Sequence, residues 1–71
     1  MKDLDDKIVA ACQLHFKAHI EKHKMNVEVM LNNPMAIHDH TDLMSAIEQE
    51  IGKIAEYEDK LAVLEKHFRN F

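Results

Sequence analysis

One cysteine, one proline, one glycine and no tryptophan occur in 71 residues, and each scarcity excludes something. Cys12 alone cannot close an internal disulfide, and no Cys-x-x-Cys pair supplies thiolates for zinc. An unpaired thiol suits a reducing compartment, and on a helix Cys12 reads as a small packing residue. A glycine-rich phosphate loop and a nucleophile elbow are both missing, so no enzyme activity is expected. The longest apolar run, residues 8 to 12, is far too short for a membrane span. The start, Met1-Lys2-Asp3-Leu4-Asp5-Asp6, is acidic where a signal peptide would be basic and then apolar. A cytoplasmic protein with no membrane partner is therefore expected. Nine basic residues are scattered among thirteen acidic ones, without the basic face that nucleic acid requires.

What is present is rich in Ala, Glu, Lys, Leu, Ile and Met, a composition that favours helix over sheet. Asn32-Asn33-Pro34 holds the only proline, which biases Asn33 away from helical geometry. The sequence predicts one all-α domain over 1–71: a helix over about 3–31, a turn over about 32–41, and a helix over about 42–68. Asp39 or Thr41 would cap the second helix, and Asp42 suits its positive end. A connector of about ten residues makes an antiparallel hairpin the simplest arrangement. Asp3 with Lys7, Glu56 with Lys60 and Glu65 with Arg69 stand four apart as supporting ion pairs. Gly52 interrupts the second helix without an evident reason.

The first helix has a main apolar stripe of Ile8, Val9, Cys12, Phe16, Ile20, Val27, Met30 and Leu31. The second matches it with Leu43, Ile47, Ile51, Ile54, Leu61, Leu64 and Phe68. A second stripe of Leu4, Ala11, Leu14, Ala18, Met25 and Val29 lies about 150° around the first helix. A helix apolar on two sides needs partners on two sides. One is the other arm of the hairpin, and a second copy of the chain is the expected other, completing a four-helix bundle. Leu4, Ala11, Leu14, Ala18 and Met25 are the expected interface of a homodimer or larger assembly. So small a chain is close to the lower limit for a self-sufficient core. Met25, Met30, Met35 and Met44 near the turn read as gap-filling core that also suits an unidentified protein partner.

Six histidines are the strongest chemical signal. His15, His19 and His23 are spaced by four and stack along one helical face. Folding about residue 37 sets His15 and His19 opposite residues 55 to 59, where Glu58 stands in the expected seam. His15, His19 and Glu58 are thus the best metal triad, and a transition metal such as zinc is the alternative to having no cofactor. The adopted reading is packing and ion pairing by a carboxylate such as Glu58 or Asp59; a proton-sensitive interface is the third possibility. Protonating all six would carry the formal charge from −4 to +2. His38-Asp39-His40, with Asp42, reads as turn and capping residues before it reads as a metal site.

The runs Asn26-Val27-Glu28-Val29-Met30-Leu31-Asn32-Asn33-Pro34, Ile37-His38-Asp39-His40 and Ile54-Ala55-Glu56-Tyr57-Glu58-Asp59-Lys60-Leu61 carry a likeness. Over about residues 26–68 the chain resembles small uncharacterised proteins of tailed phages that infect marine cyanobacteria. The glycines associated with their turn are absent here. The resemblance implies a viral origin, and hence the host cytoplasm, but no mechanism. Function is accordingly expected to be that of a non-enzymatic, oligomeric helical interaction protein.

Overall fold

A computed structural model of the chain describes residues 2–32 and 40–68. Two helices make up the described residues: α1, Lys2–Asn32, and α2, His40–Phe68. They pack against each other along a body 52 Å long and only 15 by 13 Å across. Asp3 and Asp5 stand in the first turn of α1 and Asp42 in that of α2, where carboxylates meet the positive helix end. Lys66 and His67 complement the negative end of α2. At the end of α1 the Asn32 amide donates to the Glu28 carbonyl at 2.8 Å, within the turn whose carbonyls lack helical donors. Asp39, proposed as a cap, and His38 lie outside the described residues; Thr41 is already within α2.

The helices run antiparallel: Phe16 meets Tyr57, and farther along α1 His23 meets Glu50, farther back along α2. Among the half-buried positions on α1, one line alternates by four and three: Asp5, Val9, Cys12, Phe16, His19, His23, Asn26 and Met30. Leu43, Ile47, Glu50, Ile54, Tyr57, Leu61 and Leu64 repeat the pattern on α2. A spacing of 3.5 is that of a coiled-coil seam, which keeps two long helices in contact along their length. The seam therefore takes in Glu50, Tyr57 and Asn26 and leaves Ile8, Leu31 and Ile51 exposed, although all three fit a 3.6-residue apolar stripe. Glu58 is also exposed, so the expectation that it lies in the seam is corrected: Tyr57 holds that place.

Burial is slight. Ile20, at 9% exposure, is the single buried residue among those described. Leu4, Leu14, Met25 and Val29 on the outer face of α1 are exposed, Leu14 by 70%, as are Met44 and Ile51 on α2. The chain presents 5584 Å² to solvent, where a compact monomer of 8.3 kDa would present about 4,600 Å². Two helices can cover only one stripe each. No helix among the described residues is long and apolar enough to cross a membrane.

Candidate functional site

Polar and aromatic groups concentrate in the middle of the seam. The spacing of four that aligns His15, His19 and His23 on α1 turns His19 and His23 toward α2 and leaves His15 exposed at the edge. The His19 ring lies on Tyr57, with centroids 4.4 Å apart and planes 8° from parallel. His15 meets His19 edge-on at 4.6 Å, and His23 stacks beyond at 6.4 Å. Phe16 closes the stack at 6.2 Å from Tyr57, and the Lys60 ammonium sits 4.8 Å from the Tyr57 ring centre. Such a cation over a tyrosine face is attracted by the ring quadrupole.

One turn toward the connection, His23 Nδ1–H donates to Glu50 Oε2, and Asn26 Nδ2 donates to Glu50 Oε1 at 3.1 Å. The His23 and Glu50 side chains are 12% and 20% exposed, so the bond is only thinly wetted. The hydrogen bond from His23 holds the Glu50 carboxyl below its ordinary range, against the opposing effect of burial. His19 differs. Its Nδ1 is shut off from solvent and has no hydrogen-bond partner among the described residues. Burial lowers its pKa, and repulsion from His15, Lys22, His23 and Lys60 lowers it further. Across an exposed stretch of α2, Lys53 and Lys60 both reach Glu56, at 3.5 and 2.9 Å, and these pairs contribute little to stability.

The structure thus brings His15, His19 and His23 together and supplies His23 with a carboxylate. That carboxylate is Glu50, not Glu58 or Asp59, because Glu50 falls on the 3.5-residue seam and those two do not. His15, His19 and Glu58 are not gathered into a ligand set: no three His, Cys, Asp or Glu side chains among the described residues are grouped to hold a metal ion. The cluster at residues 38–40 lies outside the described side chains. Of the expected ion pairs, Glu56 with Lys60 forms, Asp3 with Lys7 does not, and Arg69 lies outside the described residues. Sequence reasoning missed Glu50, Asn26 and Tyr57, which a heptad count from Leu43 or Asp5 would have placed in line.

Near the free ends of the hairpin, Asp5, Ile8, Val9, Cys12, Leu64 and Phe68 line a small apolar groove of about 220 Å³. It is open to solvent and carries no cluster of reactive groups. No protein family, no curated protein and no solved structure matches the chain.

Proposed function

We propose that the chain acts as a self-associating helical interaction protein rather than as a catalyst. The observation that carries this reading is the exposed outer face of α1, where Leu4, Leu14, Met25 and Val29 stand in solvent beside a seam in which Ile20 is the one buried residue among those described. The hairpin as a whole presents about 1,000 Å² more surface than a compact protein of its mass, which is consistent with a chain that covers part of itself by association. A four-helix bundle is the simplest product of two such hairpins. A phage-encoded role in the host cytoplasm goes with this reading and rests on the likeness of residues 26–68. Sedimentation equilibrium at micromolar concentration is the test: a folded species of twice 8.3 kDa or more supports it, and a stably folded monomer overturns it.

A second reading, a proton-responsive bundle, is supported by the orphaned Nδ1 of His19 in the seam. A metal-binding reading would need a third ligand beside His15 and His19, and no described residue is placed to supply one.

A further inference from the structure

The self-association proposed above assigns the outer face of α1 but leaves the polarity and register of the contact open. On α1, Leu4, Ala11, Ala18 and Met25 recur every seven residues and are all exposed. Lys7, Leu14 and Glu21 flank that line on one edge, three positions further along each heptad. Asp3 and Lys24 stand outside them on the same edge. On α2 the corresponding exposed line contains Met44, Ile51, Ala55 and Ala62, with Glu48, Glu58 and Lys66 beside it. On α1 the charges fall along one edge in an order that is self-complementary.

We infer that a second copy of this chain docks antiparallel on the outer face of α1, about a two-fold axis that passes beside Leu14. A two-fold contact is self-complementary, so every pairing occurs twice. In this register Leu4 meets the partner's Met25, Ala11 meets the partner's Ala18, and the two Leu14 side chains meet each other. Along the edge, Lys7 faces the partner's Glu21 and Asp3 faces the partner's Lys24. All four charges are therefore opposed by their opposites. A parallel arrangement would instead set Lys7 on Lys7 and Glu21 on Glu21, which is repulsive.

Within one chain these groups are free to take such partners. Lys7 and Asp3 make no ion pair among the described residues. Glu21 and Lys24 share one exposed contact of 3.3 Å, with 67% and 52% of their side chains in solvent. Alanine at the two central positions lets the helix axes come to about 8 Å, the lower end of ordinary helix packing. The surface available also suffices. A stable contact takes about 800 Å² from each partner, and the hairpin carries about 1,000 Å² beyond what a compact monomer shows.

Charge reversal on the full chain tests the contact, because all positions changed are exposed and circular dichroism reports whether the hairpin is intact. Sedimentation equilibrium at low salt would compare the wild type with Lys7→Glu, Glu21→Lys and the double variant. Each single reversal turns two attractive pairs into repulsive ones and should weaken dimerisation roughly tenfold. The double variant restores opposite signs and should return to within about threefold of the wild type. Wild-type assembly that ignores the single reversals, or a double variant no tighter than either single one, overturns this contact and leaves self-association standing. A monomeric wild type overturns both.

Discussion

The imidazole of His19 lies flat on the phenol ring of Tyr57, 4.4 Å between centroids, while its Nδ1 faces the interior without a partner. The surroundings favour the neutral ring. A second proton would place charge in a site where burial removes water and His15, Lys22, His23 and Lys60 repel it.

Acid should therefore loosen the hairpin. The folded pKa of His19 lies below its ordinary 6.5, so the unfolded chain takes up the proton first. Stability from this residue is complete above about pH 6.5 and declines as the pH falls, until the folded ring is protonated as well. Thermal melts from pH 7.5 to 5 should show a falling midpoint in the wild type and a flatter profile in His19→Gln. Identical profiles would remove His19 as the cause.

Glu50 governs a second, more acidic window. Its carboxyl titrates below its ordinary 4.5, chiefly through the hydrogen bond from His23, so the stability it contributes is present above that value. It is lost as the pH falls through the lowered pKa. At neutral pH, Glu50→Ala strands the donors of His23 and Asn26 in a half-buried seam and should cost roughly 1–3 kcal/mol. Urea melts would show it, and a loss below a few tenths of a kcal/mol would mean that water replaces the carboxylate.

Gly52 offers the opposite change. A Cβ built there meets nothing within 4 Å, and the residue lies inside α2. Gly52→Ala should add about 1 kcal/mol and raise the midpoint by roughly 4–8 °C. A lowered midpoint would assign the glycine a role in contact with another molecule.

Ala18→Glu places a carboxylate on the central line of the α1 outer face, away from the seam. Helicity should persist while sedimentation shifts toward the monomer. If the assembly is unmoved, the bundle forms through another surface.

Much of the fold was legible because helices announce themselves through composition and punctuation. The proline at 34 and the polar pair before it place the end of α1 at Asn32, within a residue of expectation. The second helix starts at His40, two residues early, since boundary residues are weakly determined. The site was half legible. His19 and His23 lie in the seam as their positions suggested, yet their surroundings depended on a small difference in period. Read at 3.6 residues, α2 offers Ile51 and Glu58 to its neighbour; read at 3.5, it offers Glu50 and Tyr57. The two frames drift apart by about 20° per heptad, so between Leu43 and Tyr57 the facing line turns by about 40°, enough to favour one neighbour over the next. The outer face of α1 could be seen in the sequence, but the charge pairing proposed for it emerges only once the seam shows which edge remains open.

Tyr57 is the only tyrosine, and tryptophan is absent, so near-ultraviolet emission from the protein belongs chiefly to one ring. That ring is in contact with His19 and within 6.2 Å of His23. The molecule thus carries its own optical probe at the centre of the seam. Protonation of the imidazole beneath it, or separation of the helices, changes the environment of the emitting phenol directly, and both can be followed in unmodified protein without a label.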